Sequence, residues 1–291
     1  MATDVRVRLR VPRGKMPPVS EVLKTTTTQS GDPWLTSARV GDGYLLRFVT
    51  MADFTIDRSG SEIACWHIED GVSPETIRHL ILDQVLPVVL NRRGREALHA
   101  TAIVTPKGAC AFFGTTGSGK STLAAGFLLA GFGALSDDCL ALVEQNGSIL
   151  ALPGYPGIRL GLDAIEALSA AGVTKAVSDF TSKRRALESQ SAKNFPREPV
   201  LLSRIYRVVR PRGGEPEILR PSIEPIEPRE ALIELLSSSF LLDFADPEML
   251  ARHFQLMEKV AARVPVKRLK VPNDLSALRA VREQVLADLE G

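Results

Sequence analysis

The stretch from Gly114 to Thr122 has the residue types and the spacing of a loop that binds phosphate groups. It reads Gly-Thr-Thr-Gly-Ser-Gly-Lys-Ser-Thr. In this pattern the glycines let backbone N–H groups point at the β- and γ-phosphates of a nucleotide, the lysine adds a positive charge, and the serine hydroxyl contacts Mg²⁺. The sequence therefore predicts a nucleotide site. The alternative is a glycine-rich turn that matches the pattern without a ligand.

The residues on either side of this loop also have the expected character. An apolar run of strand type, 108–113, precedes it, and an apolar helix-forming run, 123–130, follows it. The positive end of the helix dipole then faces the phosphates. The residues expected to contact ATP are Gly114, Thr115, Thr116, Gly117, Ser118, Gly119, Lys120, Ser121 and Thr122.

Two adjacent carboxylates, Asp137 and Asp138, follow a short strand-forming run at 134–136. Doubly wound sheets collect their ligands at the carboxyl ends of the strands, so both side chains can reach the phosphate site. Adjacent residues point in different directions. One carboxylate can therefore hold Mg²⁺, directly or through water, while the other faces the nucleophile that attacks the γ-phosphate. The alternative is a polar strand end or a helix cap.

Three cations are further candidates for phosphate contacts. Arg159 follows a rigid bend at 153–157 that is rich in proline and glycine, and its alternative is a plain surface arginine. Lys183 and Arg184 lie in the polar stretch 174–199, where mobile cations suit the charge that develops in phosphoryl transfer. A solvated basic loop is the alternative for that stretch.

The elements around these residues can also be predicted. The run at 97–104 is expected to be a strand that pairs antiparallel with 108–113. His99 lies in that strand, where a lone histidine more often packs or lies on the surface than acts in chemistry. A helix is expected from Ser73 to about Leu90, because a capping serine and a proline begin it. The segment at 12–33, rich in Pro, Gly and Thr, is expected to be irregular.

Composition limits the class of protein. With 291 residues the chain can form one large or two modest domains. A net charge of +2 gives no argument for nucleic-acid or membrane partners. The three cysteines are widely spaced, and we find neither a signal peptide nor an apolar run of about 18 residues that would span a bilayer. We therefore expect a cytoplasmic protein with neither a nucleic-acid nor a membrane partner.

Taken as a set, four segments resemble the HPr kinase/phosphorylase-like P-loop kinases, which in turn resemble phosphoenolpyruvate carboxykinase in fold. The segments are 98–102, with His99 and Thr101, the loop at 114–122, 135–138 and 153–160. The resemblance implies an α/β fold with a P-loop kinase core at 73–291. The strand-like pieces that recur at 44–49, 54–56 and 63–66 predict, by themselves, a small, mostly β N-terminal subdomain at 1–72.

The resemblance also implies roles for individual residues. Lys120, Asp137 and His99 would form the catalytic set, with Asp137 as the base for a substrate hydroxyl and His99 beside the acidic pair. Ser121 and Asp138 would lie near the metal ion. A basic pair occurs in this branch of the family where Lys183 and Arg184 stand, and Arg159 would join the nucleotide contacts. ATP and Mg²⁺ would be the cofactors, and copies of the chain would associate as a homo-oligomer.

Three functional hypotheses follow. The leading one is an ATP-dependent kinase that transfers the γ-phosphoryl group to a serine or another hydroxyl of a peptide, protein or small molecule. Members of this shorter branch occur beside ribosomal peptide biosynthesis, which makes a precursor-peptide serine a candidate acceptor. The second is a nucleotide-switched ATPase or binding module, although the chain has no Leu-Ser-Gly-Gly signature. The third is a carboxykinase-like enzyme that acts on a small acid.

Overall fold

The structure is a computed structural model that describes residues 5–11, 16–28, 30–155, 157–168, 175–179, 181–186, 195–211, 213 and 215–291. The chain divides into two compact units. The first contains Met1–Arg95, Ser178–Phe180 and Leu241–Arg252, and the second contains Glu96–Val177, Thr181–Phe240 and His253–Gly291. Helices occur beside several sheets, so the mixed α/β class predicted from the sequence is confirmed at that level. The predicted boundary between residues 72 and 73 stays a prediction.

The first unit contains a six-stranded sheet with strand order β1-β6-β5-β4-β3-β2. All neighbouring strands are antiparallel except β1 and β6, which are parallel. The expectation that 12–33 is irregular was wrong over much of its length, because β2 runs through it and its β-branched threonines suit a strand. The strands are β1 (Arg6–Arg8), β2 (Val19–Thr27), β3 (Pro33–Val40), β4 (Gly43–Phe48), β5 (Ala52–Ile56) and β6 (Glu62–Ile68).

The predicted helix after residue 73 forms, with an interruption. Ser73 caps α1 (Pro74–Leu80) by accepting the N–H of Thr76. A π-helical turn at Ile81–Val85 then leads into α2 (Leu86–Arg92). Pro87 has no N–H and its ring would clash within a regular α-helix, so the wider turn in front of it accommodates the proline.

Asp243 is a buried charge within the first unit. Its carboxylate is fully buried and accepts hydrogen bonds from Arg39 Nε at 3.0 Å, Arg39 Nη2 at 2.7 Å and the Tyr44 hydroxyl at 3.2 Å. The other carboxylate oxygen accepts the Ala245 N–H at 2.9 Å. Removal of one partner from such a buried network leaves the remaining polar groups without their bonds, which is costly.

We therefore expect Asp243→Ala to lower the free energy of unfolding of the first unit by about 3 kcal/mol. Both tryptophans, Trp34 and Trp66, belong to this unit, so urea unfolding followed by tryptophan fluorescence measures it selectively. Glu21→Ala is the control, because it removes only the exposed partner of the same Arg39 in the same unit and should change stability by less than about 1 kcal/mol. An equal urea midpoint for the Asp243 variant and wild type would contradict the prediction.

The second unit contains a nine-stranded sheet with the order β10-β8-β9-β16-β12-β11-β7, and β18 pairs with β16 and β17. A separate three-stranded sheet has the order β13-β15-β14. The strands are β7 (Glu96–Leu98), β8 (Ala100–Thr105), β9 (Gly108–Phe113), β10 (Gly133–Ser136), β11 (Leu140–Gln145), β12 (Ser148–Ala151), β13 (Ile158–Leu160), β14 (Lys175–Ser178), β15 (Thr181–Ala186), β16 (Val200–Val209), β17 (Ser222–Pro225) and β18 (Val266–Lys270).

Strand direction brings three chain segments to one edge of this sheet. The predicted hairpin of β8 and β9 is antiparallel, and β10 is antiparallel to β8. β16 is parallel to β9. As a result β9, β10 and β16 all run the same way, and the residues that follow them gather at the same edge. These are the loop that begins at Gly114, the pair Asp137 and Asp138, and Arg210.

Helices cover the large sheet, and apolar side chains fill the space beneath them. Phe112 of β9 stacks on Tyr206 of β16 with ring centroids 5.7 Å apart, and Phe127 packs against Phe112. Val281 and Val285 of the last helix belong to the same core. The other helices in the described part of the chain are α3 (Lys120–Leu129), α4 (Leu162–Ala167), α5 (Pro228–Ser237), α6 (Pro247–Arg263) and α7 (Leu278–Glu290), with a 3-10 turn at Leu275–Ala277.

Candidate active site

The loop at 114–122, here called the glycine loop, connects β9 to α3. Gly119 caps α3 in the left-handed region with φ of 94°, and a Cβ there would lie 2.9 Å from Nη2 of Arg210. Gly114 has φ of 146°, and a Cβ there would lie 2.7 Å from the Val208 carbonyl oxygen. Side chains are therefore excluded at both positions, and the backbone can curl around a ligand.

Two polar groups inside the glycine loop fit an anion. Lys120 Nζ donates to the carbonyl oxygens of Gly114 at 3.0 Å and Thr115 at 3.3 Å, and burial lowers the pKa of this amine. The Ser118 hydroxyl is buried and has no hydrogen-bond partner within the described residues. Buried polar groups are normally satisfied, so this hydroxyl and the positive end of α3 are suited to phosphate oxygens.

Asp137 is the buried member of the acidic pair. Its Oδ1 accepts from the hydroxyls of Ser121 at 2.9 Å and Thr101 at 2.8 Å. Its Oδ2 accepts from the backbone N–H of Arg159 at 2.9 Å, and its side chain has no exposed surface. Asp137 therefore lies against the serine at the end of the glycine loop.

Asp138 adopts a left-handed backbone conformation, with φ of 62°, and its side chain is 18% exposed. Its Oδ2 accepts from Arg159 Nη2 at 2.7 Å, and its Oδ1 lies 4.0 Å from His99 Nε2. Unlike Asp137, it lines the pocket in front of the glycine loop. The turn at Asp138 thus separates the two carboxylates, one directed inwards and one towards the pocket.

Arg159 joins the two carboxylates. It lies on β13, is 2% exposed, and its guanidinium donates to the carboxylates of both Asp137 and Asp138. It also reaches the wall of the pocket. The expected contact between Arg159 and phosphate stays a prediction, while its contacts with the acidic pair are geometric facts.

The electrostatics differ between these groups. Burial, and then the charge of Asp138, raise the pKa of Asp137. Burial acts in the same direction on Asp138, but the Arg159 guanidinium and then His99 outweigh it and hold the pKa of Asp138 below its ordinary value. Burial lowers the pKa of His99. At neutral pH the pocket therefore presents an ionised Asp138 beside an uncharged imidazole.

His99 lies at a break in the predicted strand. The sequence indicated one strand over 97–104, but β7 pairs with β11 and β8 pairs with β9, with His99 between them. The backbone N–H of His99 donates to the carbonyl of Ser238 at 2.6 Å. The interruption turns the imidazole towards Asp138, and 39% of the side chain is exposed.

A pocket of about 190 Å³ lies between the glycine loop and these side chains. Ten of its lining residues were sequence-predicted candidates, whereas Gly161 and Arg210 were not. Gly114, Thr115, Ser118, Asp137 and Arg184 do not belong to the described lining, and Arg184 pairs with Leu160 through the β13–β15 register. The lining consists of His99, Thr116, Gly117, Gly119, Lys120, Ser121, Thr122, Asp138, Arg159, Gly161, Lys183 and Arg210.

Arg210 is a functional candidate that the sequence reasoning missed. It follows the last residue of β16, and its guanidinium lies beside Gly119. Its Nε is buried without a hydrogen-bond partner in the part of the chain that the structure describes, and burial lowers its pKa. The signal was an arginine directly after a strand-forming run at 201–209. Only the parallel pairing of that strand with β9 places it at the site.

The residues present also fit a magnesium ion. No group of three or more His, Cys, Asp or Glu side chains that could hold a metal occurs among the described residues. Mg²⁺ does not need one, because it is usually held by one or two protein oxygens together with phosphates and water. Ser121 Oγ and the Asp137 carboxylate form such an oxygen pair. Pro156 and, within the predicted basic stretch at 174–199, residues 174, 180 and 187–194 lie outside the described residues.

Comparisons with known proteins give little further information. No protein-family model matches the chain, and no curated protein matches it. Among solved structures, the chain is similar to the HPr(Ser) kinase/phosphatase from Coxiella burnetii, at 14% sequence identity and a TM-score of 0.37, over 67% of this chain and 99% of that chain. Within the described residues, no helix is long and apolar enough to cross a membrane.

Proposed function

We propose that the chain is an ATP-dependent kinase that transfers the γ-phosphoryl group of ATP to a hydroxyl of a peptide, protein or small molecule. One observation carries the proposal. A single pocket holds the cationic glycine loop on one side and the Asp138 carboxylate beside His99 on the other. The first half suits a nucleoside triphosphate, and the second half suits an acceptor that must lose a proton.

The chain's own groups would hold the nucleotide. The glycine loop, Lys120 and Arg210 line the pocket in which the phosphates would lie, and Lys183 adds a further charge to the lining. The volume of about 190 Å³ is below that of typical whole-ligand pockets, so it suits the phosphates with the nucleoside outside. Ser121 and Asp137 would hold Mg²⁺, which supplies neutralisation of the phosphate charge when bound.

Asp138 is proposed as the general base, which reverses the roles implied by the family resemblance. That resemblance gave the base to Asp137 and the metal to Asp138. Asp137 has no exposed surface and bonds to Ser121, whereas Asp138 lines the pocket and keeps a lowered pKa. At 4.0 Å, His99 and Asp138 are not hydrogen-bonded to each other. Both are therefore available to one acceptor hydroxyl, whose proton Asp138 would take.

Arg210→Ala is expected to lower kcat by about 10²-fold, because a desolvated guanidinium beside the glycine loop stabilises charge that develops in the transition state. Steady-state kinetics at saturating ATP measure the effect. Arg207→Ala is the matched control, since Arg207 lies on the same strand and pairs with Glu234. An unchanged kcat in the Arg210 variant would show that Arg210 does not contribute to the proposed catalysis.

The decisive experiment is incubation with ATP labelled at the γ-phosphate and a panel of hydroxyl acceptors, namely serine-containing peptides, proteins and small alcohols. Wild type should transfer label to at least one acceptor class, and Asp138→Asn should not. Hydrolysis of ATP that no acceptor accelerates would instead support a nucleotide-switched ATPase. Absence of both transfer and hydrolysis in folded, Mg²⁺-supplied protein would overturn the proposal.

A further inference from the structure

Three polar side chains form a hydrogen-bonded chain outside the pocket lining. His253 Nδ1 lies 2.7 Å from Glu96 Oε2, and His253 Nε2 lies 2.7 Å from Ser239 Oγ. Glu96 is fully buried and His253 is 1% exposed. Around them the unit is apolar, with Leu98, Leu235 and Met257 in the same core. Burial of a carboxylate in such surroundings is costly unless it is paired, so this arrangement needs an explanation.

The hydrogen bonds around Ser239 show which groups act as donors and which as acceptors. The Ser239 hydroxyl has one proton, and Oγ donates it to the Leu236 carbonyl oxygen at 2.7 Å. Nε2 of His253 must then donate to Ser239. Nδ1 forms the second hydrogen bond of the ring, with Glu96 Oε2. Both ring nitrogens are therefore engaged, which holds the imidazole in one orientation between Glu96 and Ser239.

The chain of hydrogen bonds leads to His99 through a short backbone segment. Ser239 forms an antiparallel bridge with Leu98. On either side of that bridge, Ser238 accepts the N–H of His99 at 2.6 Å and Phe240 donates its N–H to Ala97 at 2.9 Å. The Phe240 ring meets the His99 imidazole edge to face, with centroids 5.9 Å apart. The segment at 238–240 therefore contacts both the backbone and the ring of His99.

We propose that Glu96, His253 and Ser239 are positioning residues that fix the 238–240 segment and thereby orient His99 towards Asp138. His253 forms a hydrogen bond with the side chain of Ser239, the central residue of the segment. Glu96, on the strand that precedes His99, forms a hydrogen bond with His253. The backbone bridge pairs the segment with Leu98, and the directional side-chain network restrains it further, which apolar packing alone would not do. The catalytic consequence rests on the proposed function, whereas the orientation of His99 does not.

A spectroscopic test follows from the small number of histidines. The chain has four, namely His67, His79, His99 and His253, so imidazole NMR of histidine-labelled protein can resolve each ring. Ser239→Ala and Glu96→Gln should both shift the His99 signals as well as those of His253. The signals of His67 and His79 should stay in place. Asp83→Asn is the matched control, because it breaks the His79–Asp83 pair in the first unit and should move only His79.

Kinetics separate positioning from mere folding. In Ser239→Ala we expect kcat to fall by about 10-fold, because a misplaced catalytic group lowers the rate. The Kd for ATP with Mg²⁺ should stay within about twofold, because the glycine loop is intact. Ser239→Thr keeps the hydroxyl and should restore kcat. If the Glu96 variant does not fold, Ser239→Ala carries the test alone.

Two outcomes would overturn the inference. One is a His99 signal that stays in place in a folded variant whose His253 signal moves, and the other is a kcat that falls only with the folded fraction. A shifted His99 signal in a protein that transfers no phosphate would instead leave the positioning role intact and refute the proposed kinase function.

Discussion

Asp138→Asn should lower the rate of phosphoryl transfer by about 10³-fold, which is within the range for loss of a general base. Asparagine has nearly the same shape and tolerates the left-handed backbone at this position, so the fold should be preserved. ATP binding should be nearly unchanged, because the glycine loop and Lys120 are untouched. Single-turnover transfer and equilibrium nucleotide binding measure the two effects separately.

Asp137→Asn should behave differently. We expect it to raise the Mg²⁺ concentration needed for half-maximal transfer by about 10-fold, because its carboxylate contacts Ser121 Oγ and would approach the metal. At saturating Mg²⁺ a substantial part of the rate should return. Thermal unfolding must be compared, since Asp137 is buried. A changed Mg²⁺ requirement in the Asp138 variant and not in the Asp137 variant would contradict the prediction. Asp138 would then lie near the metal and Asp137 would be the base, as the family resemblance implies.

Lys120→Met should weaken ATP binding by about 10²-fold, which corresponds to loss of charge-assisted hydrogen bonds to phosphate. It should not lower the Tm of the nucleotide-free protein. The sign follows from the lowered pKa of the amine, because burial makes its charged form less favourable in the folded protein than in the unfolded chain. Methionine fills a similar volume without that cost.

Lys107→Met is the matched control for this prediction. Lys107 is exposed in the turn between β8 and β9, before the strand that leads into the glycine loop. It should change neither ATP affinity nor Tm. Wild-type ATP affinity in the Lys120 variant, or a large loss of Tm, would show that Lys120 supports the loop rather than the nucleotide.

The parts of the site that depend on local sequence were predictable. The glycine loop lies between β9 and α3, as its flanking residues indicated. The hairpin of β11 and β12 forms at Asn146 and Gly147, both with positive φ. In these cases the deciding interactions lie within a few residues along the chain, so composition and spacing contain the necessary information.

The parts that depend on distant pairing were not predictable. Adjacent carboxylates had to point apart, but which one faces the pocket depends on the left-handed turn at Asp138. His99 lies at a strand break because Ser238 receives its N–H. Arg210 reaches the site only because β16 is parallel to β9. The placements of His99 and Arg210 involve residues far apart in sequence, which a single sequence without a known partner strand does not specify.

The division of the chain also limits how this protein can be recombined. Leu242 and Met249 lie in the apolar core of the first unit, together with Phe54 and Leu80. Asp243 of the same segment bonds to Arg39 and Tyr44. A chimera that exchanges only residues 1–95 for those of another protein would therefore inherit a foreign half of this core. Chimeras should exchange 241–252 together with the N-terminal region, and natural variation in the two stretches should be coupled.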